Sequence, residues 1–292
     1  MICHGWMIKH TAPSQRFDNA TLYAIDAETE GSFCSLWPQI SNALSMRRKA
    51  GKKRITQALQ IPGKKPLFIK TSAIDSIPSR IRTTLGLRRR SGLYDWPLEE
   101  LSNHLEAQKR TDRVPRLLGY GLIQRRCGMV SEVFLGYEHL TDWMDGYQWL
   151  RINPSRACDF VEAGLALIAQ LSREGIYHLD LWAGNIMLRD NDIQTLKAID
   201  LENCFIGENS NISETLGFQF ALLYQHQLQD FIEEREYDRL VDAQVRKMPE
   251  VQRSGFCVFY EHFKRCGAHR KERHLIPKLG AIATFQRGLR SY

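Results

Sequence analysis

Residues 175–190 read GIYHLDLWAGNIMLRD and place His178, Asp180 and Asn185 in one short turn between apolar stretches; KAIDLENC follows, with Asp200 and Glu202. Asp180 and Asn185 stand five positions apart, and Ile186, Met187 and Leu188 after them read as a short buried strand. Asp200 closes a second one, LKAI. A hairpin of these two strands holds three polar side chains at one end, facing a common cleft. Such a set suits phosphoryl transfer: one carboxylate receives or orients an acceptor hydroxyl, while an amide and a second carboxylate hold magnesium against nucleotide phosphates. The protein's part is then positioning and charge neutralisation rather than covalent chemistry. Taken singly, Asp and Asn are ordinary turn formers, so the weight lies on their joint spacing.

The elements around this turn divide the chain in two. In the first half RITQALQI (54–61) alternates, with Ile55, Leu59 and Ile61 on one face; Pro62-Gly63 suits a type II turn, and PLFIK reads as the returning strand, ending at Lys70. A helix is predicted from about Pro97 to Arg110, burying Leu98, Leu101 and Leu105. VPRLLGYGLI and GMVSEVFLG read as two more strands, the second carrying Glu132, and NATLYAIDAE offers an extra one. The second half turns helical: Asn153 is a candidate cap, Pro154 suits a first helical position, and a stripe from Phe160 to Leu171 stops at Gly175. Further amphipathic stretches fall near 215–245 and 255–268. The expected class is therefore α+β, with a small antiparallel β lobe (residues 1–135) and a larger helical lobe (136–292).

Bulk properties narrow the partners. The 292 residues carry a formal net charge of +7, which favours an anionic partner. The seven cysteines show no paired or metal-ligand spacing and fit a reducing compartment. The first residues lack the order of a signal peptide and no apolar run is long enough to span a bilayer, so a cytoplasmic location is expected. No nucleic-acid motif accompanies the charge, and no obligate protein partner is implied.

HLDLWAGN resembles the catalytic loop of the protein-kinase-like superfamily, H-R-D-L-x-x-x-N, and IDLE falls where the magnesium-binding D-F-G would lie. Within that superfamily NHLEAQKRTDRVPRLLGYG, SEVFLGYEHLTDW and GIYHLDLWAGNIML are similar to the lipopolysaccharide core kinases that act on heptose and Kdo. The resemblance implies a two-lobed kinase-like fold, ATP and Mg2+ as cofactors, and a sugar hydroxyl of the lipopolysaccharide core as acceptor. The work would be done at the cytoplasmic face of the inner membrane, with peripheral membrane contact. It also implies roles: Asp180 as the catalytic carboxylate, Asn185 and Asp200 on metal, Lys70 on the phosphates, and Glu106 as the partner of Lys70. Glu132 would lie near a hinge where backbone groups meet adenine, and His178 would hold the loop and the backbone at Asp200. Glu99 and Glu100 compete with Glu106, although both could simply favour the helix dipole.

The sequence departs from the superfamily pattern in three places. No G-x-G-x-x-G is present; RRKAGKKR offers only Gly51, so Lys52, Lys53 and backbone amides would cover the phosphates. Leu179 replaces the loop arginine, and no A-P-E follows at the expected distance. These features disfavour a regulated protein kinase. The arginines of residues 80–90, with Arg88, Arg89 and Arg90 foremost, suit an acidic acceptor, against the alternative of a solvated loop. Trp182 is a candidate for stacking on a sugar, and Glu202 is either a further metal or water contact or a surface residue. Two alternatives stay open: another small-molecule or protein kinase, and a catalytically silent scaffold with the kinase-like fold.

Overall fold

The computed structural model describes residues 13–26, 33–60, 66–189 and 192–281. The expected Pro62-Gly63 turn lies outside the described residues. Two compact units emerge, one built from residues up to Leu105 together with Pro115–Thr141, the other from Glu106–Val114 and the chain from Asp142 onward. A cut at 135/136 would sever a strand that runs on to Glu138; the later boundary falls between Thr141 and Asp142, and Glu106–Val114 also belongs to the second unit.

The first unit contains β1 (Ser14–Phe17), β2 (Ala20–Ala24), α1 (Trp37–Lys49), β3 (Arg54–Leu59), β4 (Leu67–Ala73), α2 (Ile77–Leu85), most of α3 (Trp96–Ala107), β5 (Leu117–Gln124) and β6 (Val130–Glu138). Among the described residues six strands form one antiparallel sheet in the order β1-β2-β5-β6-β4-β3. Because side chains alternate along a strand, each face is fixed by parity. Leu67 and Ile69 of β4 and Phe134 of β6 pack with Ile40 and Leu44 of α1. Val133, Leu135 and Tyr137 pack on the other face with Leu98, Leu101 and Leu105 of α3. Full burial of each such side chain is worth about 1.5–3 kcal/mol, so the two helices clamp the sheet from both sides. Phe33 lies across two strands at positions where a side chain would collide: a Cβ at Gly119 or Gly136 would come within 2.4 or 2.5 Å of its ring.

Three local expectations change. β4 continues to Ala73, so Lys70 is a mid-strand residue flanked by buried neighbours. α3 stops at Ala107, short of Arg110. The arginine-rich segment is in part helical: Ser76 caps α2 through its hydroxyl, which accepts from the Ser79 N–H, and Gly86 ends it in the left-handed region at φ 65°.

The second unit contains β7 (Trp143–Asp145), α4 (Gly146–Ile152), α5 (Ala157–Arg173), β8 (Ile176–His178), β9 (Ile186–Arg189), β10 (Asp192–Ala198), β11 (Cys204–Ile206), α6 (Ile212–Gln225), α7 (Glu234–Val245), α8 (Arg253–Arg265), α9 (Arg270–Arg273) and α10 (Leu275–Leu279). Its small sheets pair β10-β9-β7 and β11-β8. Residues 154–156 form a 3-10 turn, α5 begins only at Ala157, and the Asn153 side chain donates back to the Trp149 carbonyl instead of capping. α6 and α8 approach closely at Gly217, where a Cβ would stand 2.4 Å from the Phe256 carbonyl oxygen. The α+β class, with an antiparallel sheet unit and a larger helical unit, is the one observed.

Candidate active site

In the second unit the chain leaves α5 at Gly175, whose φ of 70° suits glycine, and enters β8. His178 pairs in register with Cys204 of β11, which ties the turn at Asp180 to the segment after Asp200. The buried imidazole is the joint: its Nε2 lies 2.8 Å from the Ile199 carbonyl oxygen and its Nδ1 lies 3.3 Å from the Asp180 backbone nitrogen. A backbone N–H can only donate, so Nδ1 accepts and Nε2 carries the proton. Burial pushes the His178 pKa down, against the opposing effect of the Ile199 carbonyl, and keeps the ring neutral. His178 is thus a positioning residue.

Asn185 makes the second joint. Its Nδ2 donates to the Asp180 carbonyl at 2.9 Å, and its own carbonyl accepts from the Ile199 N–H at 3.0 Å. The side-chain amide is thereby oriented, leaving Oδ1 as its acceptor. Asp200 follows immediately with φ 64° and ψ 56°, a left-handed conformation sparsely populated by non-glycine residues. Sequence-expected Asp180, Asn185 and Asp200 are therefore brought together at the end of the β9–β10 hairpin. An amide oxygen and a carboxylate are hard oxygen donors that fit Mg2+.

The carboxylate of Asp180 is held by two arginines that no sequence motif marked. Arg273 donates to Oδ1, and Arg270 donates to Oδ2 at 2.6 Å while also reaching Glu202 at 2.9 Å. Arg273 is buried and further anchored on the Leu179 carbonyl at 3.0 Å. Burial alone would raise the Asp180 pKa, but the hydrogen bonds of Arg270 and the charge of Arg273 outweigh it and hold the carboxyl below the usual range. Glu202 is thus an ion-pair partner of Arg270. Trp182 has its ring centroid 6.4 Å from Tyr147 and 6.3 Å from His226, within an aromatic cluster.

In the first unit Lys70 is buried, and its Nζ lies 2.5 Å from Oε1 of Glu100. The Tyr137 hydroxyl donates to the same oxygen at 3.1 Å, and Arg54 reaches Oε2 at 3.4 Å. Glu106 is not the partner: six residues along a helix turn it about 120° away from Glu100, and it pairs with Lys109 at 2.7 Å in an exposed position. Glu99 instead accepts from the Tyr94 backbone N–H.

The other expected residues of the first unit lie away from Lys70 or have partners of their own. Glu132 stands on the α1 face, opposite Ala73 in register, where it binds Arg47 at 2.7 Å and Arg48 at 2.8 Å. Lying near the start of β6, it is six residues from that strand's far end at Glu138, the end that leads out of the first unit. Lys53 pairs with Asp75 at 2.8 Å, and its carbonyl accepts from the Ala73 N–H. Lys52 and Lys53 therefore lie at the Ala73 end of β4, roughly 10 Å from Lys70 at 3.3 Å per residue. Of the arginines, Arg89 binds buried Asp95 at 2.8 Å, beside Arg82 at 2.9 Å, and Arg88 lies over the Tyr94 ring at 4.4 Å. Arg90 is exposed.

No family model and no curated protein matches the chain. Among solved structures it is similar to WaaP in complex with acyl carrier protein, at 17% identity and a TM-score of 0.46, over 72% of this chain and 83% of that one. It is also similar to a Stt7 homologue from Micromonas algae soaked with ATP, at 12% identity and a TM-score of 0.39, over 52% of this chain and 46% of that one.

Proposed function

We propose that the protein is an ATP-dependent kinase of the protein-kinase-like kind that phosphorylates a sugar hydroxyl of the lipopolysaccharide inner core, on heptose or Kdo. The observation that carries the transfer reading is the joint positioning of Asp180, Asn185 and Asp200 through His178, Ile199 and the Asn185 amide. The sugar acceptor rests on the sequence resemblance.

In this reading Asp180 orients the acceptor hydroxyl. A carboxylate offers about four lone-pair sites, so it can accept one hydroxyl beside its two arginines. Its depressed pKa makes it a weak base, which fits a reaction needing alignment more than early proton removal. The acceptor oxygen forms the new bond to the γ-phosphorus, the bond from that phosphorus to the bridging oxygen breaks, and the hydroxyl proton leaves through Asp180 to solvent. Asn185 and Asp200 would hold Mg2+, which supplies charge neutralisation at the phosphates. Lys70, oriented by Glu100, would contact those phosphates. Arg270 and Arg273 add positive charge beside Asp180.

The test is incubation with labelled ATP, Mg2+ and lipopolysaccharide core from a strain lacking this gene, followed by mass spectrometry. New phosphate on a core sugar supports the reading. An unlabelled core alongside label on another alcohol would replace the acceptor.

A further inference from the structure

A cavity of about 950 Å³ opens within the first unit, and none of the proposed transfer residues lines it. Four parts of the chain meet there: the β1–β2 hairpin, the last turn of α1, the first turn of α2 with the link before it, and the β5–β6 turn. Each delivers arginine, giving Arg16, Arg47, Arg48, Arg80, Arg125 and Arg126. Among the described residues the acids in its wall are Asp18, Asp75 and Glu132, so six positive charges there face three negative ones. Two of those acids are already engaged, Glu132 with Arg47 and Arg48, and Asp75 with Lys53.

The cavity wall is built rather than merely solvated. Arg47 is only 3% exposed, sharing the inner face of α1 with Ile40 and Leu44, and its Nε has no acceptor among the described residues. Burying a guanidinium is costly unless its donors and charge are met; Glu132 meets one amine and the Lys52 carbonyl another. Arg80 is fixed by its Nε donating to the Ile74 carbonyl at 2.8 Å. The β5–β6 turn is closed by the Gly128 N–H on the Arg125 carbonyl and by the Arg125 N–H on the Met129 carbonyl. Cross-bonds between Asn19 and Gln124 join it to the β1–β2 turn.

We propose that this cavity binds a multiply phosphorylated anion. Guanidinium groups match phosphate oxygens in bidentate pairs, and arginines from four separate segments present more forks than one phosphate can fill. The volume falls within the usual range for small-molecule sites. The phosphates come either from a soluble compound or from a lipid headgroup; Ile77 and Ile81, 60% and 44% exposed on the same helix as Arg80, are compatible with the second source. This site is independent of the transfer reading.

The test is calorimetric titration of the full chain with sodium tripolyphosphate at low salt, on wild type and on the Arg125→Ala/Arg126→Ala double variant. These side chains sit on a turn, and an unchanged melting temperature shows that the variant is folded. Wild type should bind, inorganic phosphate should bind more weakly, and the variant should lose roughly tenfold or more in affinity. No binding by wild type, or equal binding by both proteins, overturns the proposal. Cosedimentation with phosphatidylcholine vesicles, with and without phosphatidylinositol bisphosphate, separates the sources. Vesicle binding blocked by tripolyphosphate and lost in the variant assigns a headgroup; tripolyphosphate binding without vesicle binding assigns a soluble ligand.

Discussion

Oε1 of Glu100 lies 2.5 Å from Nζ of Lys70, and both side chains are almost wholly excluded from solvent. A buried pair of this kind is weak evidence for stability, since desolvation offsets much of its attraction, but removing one member leaves an uncompensated charge. Its presence on the α3 face of the sheet therefore needs a reason beyond folding, and orientation of the Lys70 ammonium supplies one.

Replacing Glu100 with Ala should lower stability by about 3–5 kcal/mol and abolish ATP-dependent turnover, whereas Glu100→Gln should keep the fold and lose most of the turnover. Glu106→Gln should change neither, because its partner is the exposed Lys109. Chemical denaturation and a transfer assay on the three variants check this; equal damage from Glu106→Gln would return the ion-pair role to that residue.

The arginines at Asp180 set a pH dependence. Asp180 is held below the ordinary carboxylate range, so its ionised form persists as pH falls. In Arg270→Ala one opposing charge and its hydrogen bonds are gone while burial remains, so the acid limb of the rate profile should move to higher pH. A limb that stays in place would detach Asp180 ionisation from the rate.

Asp200 gives a test in which stability and activity part. Its left-handed backbone costs a non-glycine residue about 1–3 kcal/mol, a cost glycine does not carry, although glycine loses more chain entropy on folding. Asp200→Gly should therefore melt at or above the wild-type temperature while losing transfer. Retained transfer would remove Asp200 from the metal-holding set.

His178 should appear in the pH dependence of folding. Its pKa in the folded chain lies below the ordinary 6.5, so the unfolded chain binds the proton more readily. Stability is then full above that ordinary value and is lost as pH falls through and below it. His178→Gln should flatten part of this slope, measured by denaturant unfolding between neutral and acidic pH. Other buried histidines contribute too, His274 among them with its pKa pushed down to about 4 by burial and the charges of Lys278 and Arg273.

Much of the site was readable in sequence because its spacing is local. His178, Asp180 and Asn185 lie within one turn, and the β9–β10 hairpin that carries Asp200 is short, so pattern alone brings them together. Parity could also have separated Glu132 from Lys70: Val133 and Leu135 belong to the α3 face, which puts Glu132 on the other. Choosing Glu100 over Glu106 needed the rotation of α3 against the sheet, and that is set by packing of Leu98, Leu101 and Leu105 rather than by any one residue. Arg270 and Arg273 were not legible at all. They meet Asp180 across 90 and 93 positions, from a short helix whose sequence, RKER, reads only as a basic surface.

The most direct measurement compares wild type with Asp180→Ala in two assays on the same preparations: transfer of labelled phosphate from ATP to lipopolysaccharide core, and equilibrium binding of ATP with Mg2+. The account predicts a loss of turnover on the order of 10²–10⁴-fold with nucleotide affinity little changed, because the role of Asp180 is confined to the reacting geometry. Undiminished transfer by Asp180→Ala would contradict it.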